Sequence, residues 1–463
     1  MTFSTAPDIL VPPFDSPQRK SPLVVATFNL SATIIGGGVL SLPYAFSKTG
    51  LWLGTLLMVI AAVMTERSLF LLCLCSRLTG ATTYGEVGEA AFGPWMEYFV
   101  SGLLGIFLLF VIIAYMVLAG DIWSSLVQIA VGLDNPPPNK DLVLVAILIL
   151  IAPCLVQGSL HALRFNCYIG FASVSILCIA LVHHAWTTST DYVLWWSNEL
   201  KDILIAFPII TLSFLSIFNV LPIQNALLRP TRSRILLSID GAMISCFVLT
   251  SVFGVAGFLY AGKNTDGNIL NNCDASGNDR FLLLGKVGCG ITVVLAMPMM
   301  LLPCRASLLE VLDVLVHGPH KTPVEKEEEN QTLIAAHDDS NPGYGSIPPE
   351  QQPTTKDAKQ QRTMIVITDN TLVHYVSTLL IVLTCYVVAI NVPGVAIVWS
   401  IIDCFMGYLL SFMLPCACYL RIQTRYPGHS LASQSWVWFS WVLLIASTVA
   451  SLACTIETVT RLV

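Results

Sequence analysis

The chain has 463 residues, of which 55% are hydrophobic and 11% charged, with a mean hydropathy of +0.73 and a formal net charge of −6. Soluble proteins carry about 25% charged residues, and a soluble fold cannot hide this much apolar surface while also covering its own outside. The composition excludes an ordinary soluble enzyme, and the lack of a basic patch excludes a nucleic-acid binder; it predicts an all-α polytopic membrane protein.

Residues 1–22 hold Pro7, Pro12, Pro13, Pro17 and Pro22 with acidic Asp8 and Asp15. No charged leader precedes a short apolar core, so the stretch reads as a disordered cytosolic tail and not as a signal peptide. From residue 23 to 463 the chain reads as one membrane domain. Its apolar blocks fall at 23–46, 51–75, 96–130, 142–159, 163–183, 203–222, 235–260, 281–303, 371–391, 393–420 and 434–457, which predicts about eleven spans. Blocks near 20 residues suit helices crossing a bilayer, where every backbone group must be paired within the segment. The alternation that barrel strands need is absent.

Placing the N-terminus in the cytosol and alternating sides puts 16 of the 23 lysines and arginines on the cytosolic side. That bias fits the positive-inside rule. An odd number of spans then puts the C-terminus on the opposite side. The 14 cysteines lie mostly in apolar blocks and form no CxxC pair, so they read as small buried side chains. Cys273 lies in the polar, non-cytosolic loop 261–280, where a disulfide is open but no partner is evident. Residues 306–370 form an acidic, Pro-rich, aromatic-poor stretch that cannot pack a core, and they read as a disordered cytosolic loop. Within it, Glu329, Leu333 and Ile334 match the acidic-dileucine pattern of a sorting signal, which would make sorting adaptors partners.

Span one holds three consecutive glycines, Gly36, Gly37 and Gly38, near its middle. Each costs about 1 kcal/mol against alanine in a helix. The plainer reading is tight packing of helices on small residues. The sharper one is an unwound segment whose N–H groups face an anionic ligand. Pro43, with no N–H, favours a break just before it. In span six, Pro208 and Pro222 bracket Thr211, Ser213, Ser216 and Asn219. An amide at that depth must find partners, whether a neighbouring helix, freed carbonyls or a ligand. Interrupted helices five spans apart match the inverted repeats of secondary transporters. Among other polar groups, Glu66, Asp121 and Asp403 fall in or near spans, where carboxylates often mark ion or proton routes. Adjacent His183 and His184 point to different faces and make no metal pair. No Walker loop, zinc-protease motif, dinucleotide fingerprint or nucleophile elbow is present, so no metal, cofactor or covalent chemistry is expected.

The chain resembles the amino acid/auxin permease family, above all its vacuolar and sodium-coupled neutral amino acid transporters. The resemblance covers nearly all the spans. It rests on Asn29-Leu-Ser31 with Ile35-Gly-Gly-Gly-Val-Leu-Ser-Leu-Pro-Tyr44, on Thr82-Thr-Tyr-Gly85, on Phe218-Asn-Val-Leu-Pro-Ile223 and on Pro303-Cys-Arg305. It implies eleven spans in a LeuT-like fold, a five-plus-five inverted repeat with one extra helix. It also implies proton- or cation-coupled movement of small neutral amino acids across a vacuolar, lysosomal or plasma membrane. By that resemblance the amides of Gly36, Gly37 and Gly38 hold the substrate carboxylate, and residues from Ser213 to Asn219 accept its ammonium. Phe214 and Phe218 shape the side-chain subsite, and Asn29, Ile34 and Ile35 are the coupling-ion candidates, for Na+ or H+. Two departures bear on the ion. The stretch Val294-Leu-Ala-Met-Pro298 lacks the hydroxyl of sodium-coupled relatives, which weakens the case for sodium, and Ile217 stands where vacuolar relatives carry a histidine, so that histidine's proton-handling role does not carry over; the reading leans towards a proton or weak ion dependence. The alternatives are an amino acid sensor built on a transporter fold, kept open by the 306–370 loop, and a channel or membrane enzyme, for which no polar ring or catalytic cluster is visible.

Overall fold

The computed structural model describes residues 9–132, 139–156, 166–187, 193–273, 280–317, 371–392, 394–425 and 434–462. Among the described residues nine helices are long and apolar enough to cross a membrane, and a bent pair makes a tenth. The bent pair is span one: α1 (Leu23–Ile34), a 3-10 turn at Gly37–Ser41 and α2 (Leu42–Thr49), the two halves inclined at 46°. Span two is α3 (Leu51–Thr79). A short α4 (Tyr84–Phe92) leads into span three, α5 (Pro94–Val131). The expected fourth span is α6 (Lys140–Val156), whose 17 residues rise about 25 Å, near the short limit for crossing. Span five is α7 (Asn166–Thr187), and span six is α8 (Leu200–Leu212) with α9 (Ile217–Ala226). Span seven is α10 (Arg232–Ala261), followed by a short α11 (Ile269–Asn272), span eight α12 (Arg280–His317) and span nine α13 (Thr371–Asn391). Span ten runs from α14 (Val395–Ile402) through two π-helical segments, Asp403–Gly407 and Leu409–Met413, into α15 (Leu414–Arg425); span eleven is α16 (Gln434–Leu462).

Local chemistry sets the joints. In the Thr82–Gly85 motif the Thr83 side chain caps α4 by accepting from the Glu86 N–H, and Glu86 reaches back to the Thr82 N–H at 2.7 Å. This is a reciprocal cap that satisfies end donors. The Tyr84 hydroxyl then donates to the Leu410 carbonyl at 2.6 Å, tying α4 to span ten. Small residues let the helices approach closely: a β-carbon at Gly285 would stand 3.2 Å from the Leu177 backbone, and one at Gly105 3.1 Å from Ser307. Large apolar side chains such as Leu150, Ile179 and Leu379 point outward, as lipid-facing surfaces require. Asp121 forms an ion pair with Lys140 at 2.6 Å, and Glu66 pairs with Arg67 at 2.8 Å through one carboxyl oxygen while also facing Asp240. Cys273 is buried, and every described cysteine is a free thiol.

Two expectations about order need correction. The segment 9–22 is not a loose tail. The Ile9 N–H donates to the Arg77 carbonyl at 2.8 Å, and Ser21 forms a short parallel bridge with Leu227. Arg19 is 3% exposed and donates to the carbonyls of Gln224, Asn225 and Leu227 at 2.9, 3.0 and 3.4 Å. The carbonyls at the end of α9 have no partner within the helix, and a guanidinium with five donors supplies one. Composition hides this because the anchoring is done by one side chain among many prolines. Likewise α12 continues to His317, so the first residues of the expected 306–370 loop are helix. Residues 318–370, with Glu329, Leu333 and Ile334, lie outside the described residues.

Arg19→Ala should free the 9–22 segment, because hydrogen bonds to a charged group are worth about 1.5–3 kcal/mol. Limited proteolysis of the purified protein should then cut between residues 9 and 22 while the spans stay protected; a cleavage pattern identical to wild type would count against this anchoring.

Candidate functional site

The ladder of span one fails at Ile35 and Gly36. The Ile35 N–H still reaches Ser31 at 3.0 Å, but the Gly36 N–H turns back to Ile34 at 2.9 Å. Helix resumes as a 3-10 turn, with Val39 N–H to the Gly36 carbonyl at 3.3 Å. Pro43 then occupies the first turn of α2, where its missing N–H costs nothing. The break therefore precedes the middle of the glycine run, and Gly37 and Gly38 open the second half of the span.

Span six breaks at Ser213–Ser216, between the two prolines and at neither. Here the side chains compete with the ladder. The Ser213 hydroxyl donates to Ile210 at 2.7 Å, and the Thr211 hydroxyl lies 3.0 Å from both the Phe207 and Pro208 carbonyls. Phe214 and Leu215 make three-residue turns back to Thr211 and Leu212 at 3.1 and 3.0 Å. The N-terminal amides of α9 follow, and its first residue is preceded by Ser216, whose side chain does not cap it.

The two breaks touch. A β-carbon at Gly38 would lie 3.7 Å from Ser213 Cα, an ordinary contact. One at Gly37 would lie 2.7 Å from the Tyr115 ring, 3.0 Å from Leu118 and 3.3 Å from Trp399, so a hydrogen is needed there to admit the two aromatics. Tyr115 of span three and Trp399 of span ten meet edge to face at 6.1 Å, and a β-carbon at Gly36 would lie 3.4 Å from the Tyr115 hydroxyl. Around this point three buried polar atoms have no hydrogen-bond partner: Ser41 Oγ, Ser216 Oγ and Trp399 Nε1. Buried groups of that kind call for an explanation, and a polar ligand at the breaks supplies one.

The other residues singled out from sequence fall as follows. Phe214 is fully buried in the break, and Phe218 on the first turn of α9 packs on Phe107 of span three at 6.4 Å. Asn219 donates to Thr33 at 3.3 Å, and Thr33 in turn bonds the Asn29 carbonyl at 2.9 Å. Asn29 is exposed, while Ile34 and Ile35 are buried at the end of α1. Asn29, Thr33 and Asn219 form a polar strip that grades from exposed to half-buried as it nears Gly36. Tyr115 and Trp399 escape sequence reading, since each is one aromatic in a continuous apolar run. The pairing of Thr211 with Asp403 escapes it too, although Asp403 stands out as a carboxyl inside a span.

Residues 19–462 match the family model described as transmembrane amino acid transporter protein. Vacuolar amino acid transporter 7 of Saccharomyces cerevisiae is 27% identical over 312 residues, covering 64% of this chain and 60% of that protein. Solute carrier family 38 member 10 of Homo sapiens is 25% identical over 444 residues, covering 93% of this chain and 35% of that protein. The chain thus spans less than two thirds of the length of either. Vacuolar amino acid transporter 6 of S. cerevisiae is 25% identical over 418 residues, covering 84% of this chain and 87% of that protein. In fold, the chain resembles Mhp1, a nucleobase-cation-symport-1 family transporter solved in a closed conformation with bromovinylhydantoin bound. The TM-score is 0.54 at 11% identity, over 97% of this chain and 92% of that one.

The geometry at the glycines predicts a contrast. Gly37→Ala must displace Tyr115 or Trp399 and should lower stability by about 1–3 kcal/mol, the usual cost of overpacking. Gly38→Ala, in ordinary contact, should melt with wild type. Thermal unfolding in detergent compares them; equal melting of all three proteins would refute the close approach at Gly37.

Proposed function

The chain belongs to the transmembrane amino acid transporter family, and from that membership we propose that it moves small neutral amino acids across a membrane by alternating access. The observation that carries this reading is the contact between two interrupted spans, Gly38 against Ser213. Each interruption leaves one helix end of each sign. The start of the second half of span one, at Gly37 and Gly38, offers N–H groups and the positive end of a helix dipole. The end of α8, at Thr211–Ser213, offers carbonyls and the negative end. A zwitterion placed between them meets its carboxylate at the first and its ammonium at the second. Discontinuous helices do this in transporters generally.

The lining supports a small neutral side chain. Phe214, Phe218, Tyr115 and Trp399 bring apolar and aromatic surface to the breaks. No lysine or arginine is among the residues described there, so a second carboxylate on the substrate would go unneutralised. Glutamine, alanine and asparagine fit this lining better than acidic or basic amino acids. The names of the yeast relatives support an endomembrane such as the vacuole or lysosome, with the plasma membrane as the other location.

Radiolabelled uptake by the purified protein in proteoliposomes tests the reading. Neutral amino acids should enter in preference to acidic and basic ones, and Gly37→Val should abolish uptake while the protein still inserts. Ser216→Ala removes a hydroxyl that has no hydrogen-bond partner among the described residues, so it should keep its melting temperature and raise KM roughly 2–10-fold, the worth of one hydrogen bond. Full uptake by Gly37→Val, or no transport of any neutral amino acid, would sink the proposal.

A further inference from the structure

Of the three carboxyls singled out from the sequence, Glu66 and Asp121 have cationic partners in Arg67 and Lys140. Asp403 has none: among the described residues it makes no ion pair, and it is 1% exposed. A carboxylate in that position is expensive without a compensating charge. The surroundings are nevertheless shaped for it. Asp403 opens a π-helical segment, Asp403–Gly407, a widening often found at functional sites. One turn on, Gly407 leaves the space that the carboxyl fills, because a β-carbon there would collide with Asp403 Oδ1. The hydrogen-bond partner of the carboxyl is the Thr211 hydroxyl on span six.

Thr211 stands two residues before the break in span six, and its hydroxyl has three oxygens within reach: Asp403 Oδ2 and the carbonyls of Phe207 and Pro208. A hydroxyl carries one proton. When Asp403 is ionised it can only accept, so Thr211 must donate to it and leave both carbonyls of α8. When Asp403 is protonated it donates to Thr211, and the Thr211 proton turns to Phe207 or Pro208. One proton on Asp403 therefore decides how the last turn of α8 is bonded, next to the carbonyls assigned to the substrate ammonium. The titratable groups facing the carboxyl are Cys404 and Tyr408 of its own span and Cys454 of span eleven. Span six brings Thr211 and Phe207. Span three brings Tyr115, against Trp399 one turn earlier. None of these is cationic. The Tyr408 hydroxyl is buried beside the carboxyl, next to Thr211 and Cys454.

We propose that Asp403 is the proton-binding group of this transporter, with Thr211 relaying its protonation state to the break in span six. The inference rests on the transport reading above and names its coupling ion. A zwitterion carries no net charge, so each cycle moves one proton and one positive charge along with the substrate.

The test uses the full chain in proteoliposomes, with two readouts: exchange of a labelled neutral amino acid at equal pH, and accumulation driven by an acidic bath against a neutral lumen. With the membrane potential clamped at zero by valinomycin and equal potassium, wild type should exchange and, for one proton per substrate, accumulate about tenfold per pH unit imposed. Asp403→Asn imitates the protonated carboxyl; it should continue to exchange and lose accumulation, with an inside-to-outside ratio near one. Should that variant fail to insert, Asp403→Ser, smaller and unable to ionise, takes its place, and it should likewise exchange with an inside-to-outside ratio near one. Accumulation at the wild-type ratio in either inserted variant overturns the proposal and leaves Asp403 a structural hydrogen-bond donor. Wild-type exchange that a pH gradient does not drive, or that only a sodium gradient drives, overturns it while the transport reading stands. No exchange by wild type overturns both.

Discussion

A peptide N–H or C=O left unpaired in hydrocarbon costs several kcal/mol, and this constraint organises the whole molecule. Most of the chain meets it by uninterrupted helix. Two spans do not, and each repairs its ladder with what is nearby. Span one turns the Gly36 N–H back on Ile34. Span six uses the Ser213 and Thr211 hydroxyls and three-residue turns. Beside the breaks, the side chains of Ser41, Ser216 and Trp399 keep buried polar atoms without a hydrogen-bond partner among the described residues. The same rule that makes the rest helical tolerates irregular backbone at membrane depth only where it lines a cavity or is buried in protein.

The halves of span one are held differently. The second half is wedged by glycines on its neighbours: Gly54 and Gly254 receive the Phe46 ring, and Gly257 receives Pro43. Leu42, Pro43, Ala45, Phe46 and Thr49 are all buried. The first half exposes Val24, Val25 and Asn29. The break thus separates a tightly packed segment from one with open faces, and the polar strip Asn29–Thr33–Asn219 runs along that open side toward Gly36. Alternating access needs ligand binding to favour one arrangement of such halves over the other.

Much of the architecture was legible because a bilayer leaves few options. Blocks of about 20 apolar residues must be helices, and the expected spans recur as helices in the expected order, including the 17-residue fourth. The interruptions were legible for a local reason as well: glycines and prolines weaken a ladder wherever they stand. Their exact places were not. Pro208 lies inside α8 and Pro222 inside α9, and the break falls between them, where serine hydroxyls compete for carbonyls. Order at the ends was misjudged, since the 9–22 segment is anchored by Arg19, and one guanidinium among prolines leaves no compositional trace.

The sequence by itself determined the class of protein, the helical spans and the two weak points, because each depends on residues close together in the chain. Tertiary structure decided what those weak points meet. Ser213 stands against Gly38, Tyr115 and Trp399 close over Gly37, and the Asp403 carboxyl lies on Thr211, 192 positions away in the chain. A helix shows its own period in its sequence, but the neighbour it presents a face to is set by the packing of the whole bundle, and no local pattern encodes that.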